Sequence, residues 1–253
     1  MKKEKSSEGK SKTALEMGFL DHLEELRQRI FKVLISVVLF AAASFAVSDY
    51  FIDLILLPAH RLATDMTIQV LKVQGILMLK LWVAFAMGLV LSIPVLAYQF
   101  WAFVSPGLLP TEKRWAPWLI ISVSAFFLIG AAFAYFVMVP FAIHFLIGLG
   151  AEEIQKNISI NYYTKFVIQL MIATGLVFQM PVLSFLLTKM GLITPRILRK
   201  YWRYAVIGIM IMAAFVTPPD PVSMIMMGVP LLFLYELSVW ISRMAQAKEE
   251  QTP

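Results

Sequence analysis

The sequence predicts an all-α membrane protein whose chain crosses the bilayer six times, with both ends on the cytoplasmic side. Three observations predict it. The 253 residues are 60% hydrophobic and only 15% charged, with a mean hydropathy of +0.77, whereas a soluble chain carries about a quarter charged residues. The apolar residues fall into runs near the ~20 residues needed to cross a ~30 Å hydrocarbon core. Lys and Arg are segregated between those runs in a way that fixes the orientation.

The chain divides into a flexible basic N-terminal segment (1–17), one membrane domain (18–242) and a short tail (243–253). Lys2, Lys3, Lys5, Lys10 and Lys12 make the first segment basic. The apolar run that follows lacks a small-residue cleavage site, so no cleavable signal peptide is expected. The six spans are read at 30–47, 76–103, 118–149, 162–188, 203–216 and 222–240. The fifth reaches only ~21 Å at ~1.5 Å per residue. It and the sixth are joined by Thr217-Pro218-Pro219-Asp220-Pro221 alone, where the prolines end one helix and start the next. A pair of true spans in a locally thinned bilayer is favoured over a re-entrant hairpin.

With the N-terminus inside, 17 of the 22 Lys and Arg fall on the inner side: eight up to Lys32, Lys113 and Arg114, five from Lys189 to Arg203, and two in the tail. Between spans one and two, residues 50–58 read as a short amphipathic helix on the outer surface, stopped by Pro58. Pro94, Pro140, Pro181 and Pro230 each remove a backbone hydrogen bond within a span and are expected to bend it into a curved wall. No internal repeat is visible.

Composition excludes several functions. The net charge of +6 comes from bases in short inter-span segments, with no stripe interleaved with aromatics, which argues against nucleic acid. Zero cysteines leaves no disulfide, thiol nucleophile or Cys-ligated metal. There is no HExxH, no GxSxG, no intramembrane aspartate pair and no metal-spaced His/Glu cluster, so no enzyme, metal or cofactor is expected. A proton-coupled transporter of small solutes would place ionisable groups at mid-membrane depth, where this chain has Gln, Ser and Thr. It stays as an alternative, as does a scaffold for single-span partners.

Three groups of residues stand out. Asp21-His22-Leu23-Glu24-Glu25-Leu26-Arg27-Gln28-Arg29 precedes span one. Asp21 and Glu24 have capping-box spacing, and Leu20, Leu23, Leu26 and Ile30 form one face of an amphipathic helix entering the membrane. A solvated face with Glu25 paired to Arg29 explains the charges equally well. The inner loop from Tyr98 to Arg114 has boundary aromatics that read as an anchoring belt, and Thr111-Glu112 reads as a helix start. Glu112 nonetheless puts an acid on a face where positive charge is the norm. At membrane depth Gln179 needs hydrogen-bond partners, and the carbonyl freed by Pro181 is one candidate. Asp220 either caps span six or acts in the outer turn, and His144 reads as a packed or interfacial histidine.

Taken together these segments resemble the TatC family of twin-arginine protein translocases. The resemblance rests on His22-Leu23-Glu24-Glu25-Leu26-Arg27, Tyr98-Gln99-Phe100-Trp101-Ala102-Phe103 with Pro106-Gly107-Leu108, and Phe133-Ala134-Tyr135-Phe136-Val137. It continues through Phe178-Gln179-Met180-Pro181, Met190-Gly191-Leu192-Ile193 with Leu198-Arg199-Lys200 and Tyr204, and Thr217-Pro218-Pro219-Asp220. It runs in order from about Gly18 to Ser242. It implies a multi-pass protein of the bacterial-type inner membrane that binds twin-arginine signal peptides of folded cargo at its cytoplasmic face. It also implies assembly, in several copies, with single-span TatA- and TatB-type subunits for export driven by the proton-motive force. By this resemblance Glu25 and Glu112 contact the arginines, and Leu26, Arg27, Gln99 and Phe103 line the site. Gln179 matches a polar contact to a partner helix or signal-peptide hairpin. Many family members have Glu there, whereas Gln still hydrogen-bonds but cannot ionise. If only the hydrogen bond matters, Gln179→Glu retains transport and Gln179→Leu loses it in an export assay.

Overall fold

A computed structural model describes residues 5–62, 66–105, 116–148, 156–216 and 221–247. Ten α-helices and one π-helical turn carry almost all of them, and two four-residue strands complete the set. Among the described residues five helical stretches are long and apolar enough to cross a membrane: Leu20–Ala46, Gly75–Val104, Ala116–Phe145, Ile160–Lys189 and Met224–Gln246. The fifth expected span, helix α9 (Trp202–Val216), is apolar but falls short of that length, reaching ~22 Å at ~1.5 Å per residue.

Helix α1 (Lys5–Ala46) has no interruption at Asp21. The capping-box start expected there is not used, because no proline lies between Lys5 and Ala46 to break the helix. Only 11% of its membrane window is buried, against 39–50% for the other four candidates, and it packs chiefly along α3 (Gly75–Val104). The contact is close because Gly88 leaves room: a Cβ there would lie 2.6 Å from the Ala41 backbone nitrogen. Small residues at such crossings let backbones approach in lipid, where packing replaces the hydrophobic drive.

Helix α2 (Ser48–Leu62) is the amphipathic element expected after span one, but it runs past Pro58 instead of stopping there. Proline leaves the carbonyl four residues earlier without its helical donor, and here that carbonyl, Leu54 O, accepts from the Tyr135 hydroxyl at 2.6 Å. Tyr163 donates to the neighbouring Ile55 O at 3.1 Å. Ile52, Ile55, Leu56 and Ala59 on the inner face of α2 join the main core. Beside this cap, β1 (Met66–Gln69) and β2 (Lys156–Ser159) pair in parallel, with Ile68 opposite Ile158 and the Thr67 and Asn157 side chains bonded.

The prolines act unequally. Pro94 and Pro230 sit inside unbroken helices, α3 and α10 (Pro221–Ala247). In the third span, α4 (Ala116–Phe133) passes through a π-helical turn (Ala134–Met138) into α5 (Val139–Gly148), which carries Pro140. In the fourth, α6 (Ile160–Val177) ends and α7 (Met180–Lys189) restarts at Pro181, with the Gln179 N–H bonded to Leu176 O in a tightened turn. Helices α4 and α6 cross where Gly130 faces Phe178 and Gly175 faces Phe127.

Helices α7 and α10 run parallel through a polar seam. Ser184 Oγ donates to Ser238 O at 3.1 Å, and one turn on the Thr188 and Ser242 hydroxyls bond at 2.7 Å. Lys189 Nζ then donates to Ala245 O. Trp101 of α3, Leu119 of α4, and Val182 and Leu186 of α7 pack together, so the last turns of α3, α7 and α10 lie at one end of the bundle and the α2 cap at the other. Helix α8 (Pro195–Lys200) is tied to α10 at that first end by Arg199–Glu236 at 3.2 Å and by the Tyr235 hydroxyl on Leu198 O.

Candidate functional site

The site grows from the antiparallel contact of α1 and α3 at the end opposite the cap. Glu25 and Arg29 are one helical turn apart on α1, so their side chains meet. Arg29 Nε and Nη2 both donate to Glu25 Oε1, at 3.0 and 2.5 Å. The third nitrogen, Nη1, reaches across to α3 and donates to Gln99 Oε1 at 3.3 Å. His22 Nδ1 lies 3.5 Å from the other Glu25 oxygen, Oε2. The His22 ring stacks on Phe103 with centroids 4.2 Å apart and planes 10° from parallel. Five residues from two helices thus make one polar and aromatic patch in which the Arg29 side chain is 20% exposed and Glu25 35%.

The sequence-derived residues are therefore distributed unevenly. The structure brings together Glu25, Gln99 and Phe103, with Leu26 half-buried on the same turn of α1. Arg27 turns away from the patch and pairs with Glu24 at 2.5 Å, an oxygen also taken by Gln28. Glu112 and Asp220 lie outside the described residues. Arg29 and His22 were not among the expected site residues. The i, i+4 spacing gave the Glu25–Arg29 pair, but nothing in a single sequence gives its third leg onto Gln99.

Gln179 is half-buried, and its Nε2 donates to Val123 O of α4 at 3.1 Å and to Gly175 O at 3.3 Å. The partner expected from Pro181 is replaced by these two carbonyls. The amide oxygen Oε1 is buried without a partner. His144 is exposed near the end of α5. Among the described residues no three His, Cys, Asp or Glu side chains are placed to hold a metal ion.

An acid and an amide oxygen flanked by an aromatic ring can hold a guanidinium, as they hold that of Arg29 here. A carboxylate supplies charge and an amide oxygen supplies a second acceptor, in the spread geometry that a planar fork satisfies and a compact ammonium does not.

The family model described as Sec-independent protein translocase protein (TatC) matches residues 21–230. The chain is 37% identical to the Sec-independent protein translocase protein TatCy of Bacillus subtilis, across 94% of this chain and 93% of that one. It is 31% identical to the Aquifex aeolicus TatC across 93% and 98%. Among solved structures it is similar to a crystal structure of the twin arginine translocase receptor TatC, at 31% identity with a TM-score of 0.80, covering 89% of this chain and 99% of that one.

Proposed function

This chain belongs to the TatC family of Sec-independent protein translocase proteins, and on that premise we propose that it is the receptor subunit that binds twin-arginine signal peptides at its cytoplasmic face. The observation that carries the reading is the patch itself. Glu25, Gln99 and Phe103, up to 78 positions apart in sequence, meet at one end of the bundle, around a guanidinium seated on the acid and the amide. In this reading Glu25 and Glu112 each take one arginine of the signal, while Leu26, Arg27, Gln99 and Phe103 line the site. At ~1.5–3 kcal/mol for each charge-assisted contact, losing one acid weakens binding about ten- to a hundredfold.

The orientation follows the positive-inside rule: the patch end is cytoplasmic, the α2 cap is outside, and the membrane is the bacterial inner membrane. The domain division stays as read from the sequence, with α9 and α10 as the fifth and sixth spans in a locally thinned bilayer. Single-span TatA- and TatB-type subunits are the partners in a complex with several copies of this chain. Gln179, with its free amide oxygen, is a contact to a partner or signal-peptide helix, and Asp220 acts in the outer turn.

Photo-crosslinking from positions 25 and 112 in detergent-solubilised protein, with a twin-arginine signal peptide and its twin-lysine variant, tests the reading. Crosslinks from both positions that vanish with lysine are expected. Equal crosslinking of both peptides would reject it.

A further inference from the structure

The two arginines beside Glu25 are placed differently. Arg27 makes an exposed pair with Glu24 along its own helix, the ordinary fate of a surface charge, worth little and easily broken. Arg29 spends all three guanidinium nitrogens on the patch, two on Glu25 Oε1 and one on Gln99 Oε1 across the helix boundary. It stands immediately before the apolar run that opens with Ile30, where its side chain is more enclosed than that of Arg27, 20% against 66% exposed. With two Arg29 donors converging on Oε1 and His22 beside Oε2, a second planar fork reaching Glu25 would compete with a guanidinium already seated on it.

We infer that Arg29 is an internal stand-in for the ligand's arginine, occupying Glu25 and Gln99 in the resting receptor and displaced when a signal peptide binds. The inference rests on the receptor reading proposed above and adds a residue that sets its affinity. A guanidinium donated from one turn away satisfies the acid and the amide in the empty site, so neither is left bare at the membrane surface. Binding then exchanges one guanidinium for another. The incoming group must match the hydrogen bonds that Arg29 gives up, so a ligand offering one weak cation gains little by displacing it. The free receptor is competent only in the fraction of molecules whose Arg29 has swung out, and the apparent dissociation constant is raised by that fraction.

The competition has a signature that a structural role for Arg29 does not share, since removing a brace weakens binding and removing a competitor strengthens it. Affinities for a fluorescent twin-arginine signal peptide and its twin-lysine variant would be measured on the full chain in detergent, for the parent, Arg29→Gln and Arg29→Lys. Arg29→Gln is expected to tighten twin-arginine binding about three- to tenfold, with the preference over lysine retained because Glu25 and Gln99 set it. Arg29→Lys keeps the charge and loses the fork. A gain in that variant therefore reports the vacated site and not the loss of repulsion, and it serves alone if Arg29→Gln does not fold. Unchanged or weaker twin-arginine binding in both folded variants, beside a parent that still prefers arginine, overturns the stand-in and leaves the receptor reading intact. A parent that shows no preference between the peptides overturns both.

Discussion

The two ends of the bundle are fastened by different bonds. At the cap end, α2 lays Ile52, Ile55, Leu56 and Ala59 into the main core, and two tyrosine hydroxyls hold its backbone at Leu54 and Ile55. The Leu54 carbonyl, which Pro58 leaves without a helical donor, cannot part from Tyr135 without leaving a polar group unpaired, which costs about 1–3 kcal/mol. At the patch end, the contacts between α1 and α3 are side-chain bonds among half-exposed charged and amide groups, each replaceable by water or by another cation. The cap is built to stay put; the patch, in the receptor reading proposed above, is built to exchange partners. Sites of exchange are drawn from the weakly held parts of a structure.

Gly88→Val is the severest way to break this contrast. Its Cβ would meet the Ala41 backbone at 2.6 Å, so α1 must part from α3 at a cost of about 3 kcal/mol. A large fall in melting temperature in detergent is expected together with loss of peptide binding, because Glu25 and Gln99 no longer share a site. Glu25→Gln should separate the two properties, with twin-arginine binding falling about ten- to a hundredfold while the melting temperature stays within the small range of a surface pair. Tyr135→Phe should do the converse. It strands the Leu54 carbonyl, which Pro58 leaves without its helical donor, and should cost about 1–2 kcal/mol of stability with peptide affinity unchanged. The smallest effect is expected from His22→Ala, which removes the ring stacked on Phe103. At about 0.5–1 kcal/mol for such a stack, twin-arginine affinity should change about two- to fivefold in a titration.

The long spans were legible because each is a continuous apolar run that nothing else in a chain of this composition explains. The proline effects were legible only in part. Removing an N–H is certain from sequence, but whether the helix breaks depends on what takes the freed carbonyl. Around Pro58 a tyrosine from another span takes it and α2 continues. Near Pro181 the chain tightens at Gln179 and restarts as α7. The strand pair escaped notice because Met66–Gln69 and Lys156–Ser159 are four residues each and 90 positions apart, with no periodicity long enough to read. Glu25 was singled out as a site residue through family resemblance, and its pairing with Arg29 through helical spacing. The bond from Arg29 to Gln99 depends on the register of α1 against α3, fixed by the Gly88–Ala41 crossing, which no local pattern encodes.

That crossing has a mechanical side. With α3 as its main neighbour, α1 would tilt most readily with the close Gly88–Ala41 crossing as its fulcrum, and 16 positions separate Ala41 from Glu25, an arm of ~24 Å at ~1.5 Å per residue. A tilt of about 5° about the fulcrum sweeps Glu25 through ~2 Å by the same geometry, enough to open the 3.3 Å reach from Arg29 to Gln99. Beyond Ala41 the helix extends only five residues, to Ala46, so a displacement of well under 1 Å where α1 meets the cap is magnified about threefold at the patch.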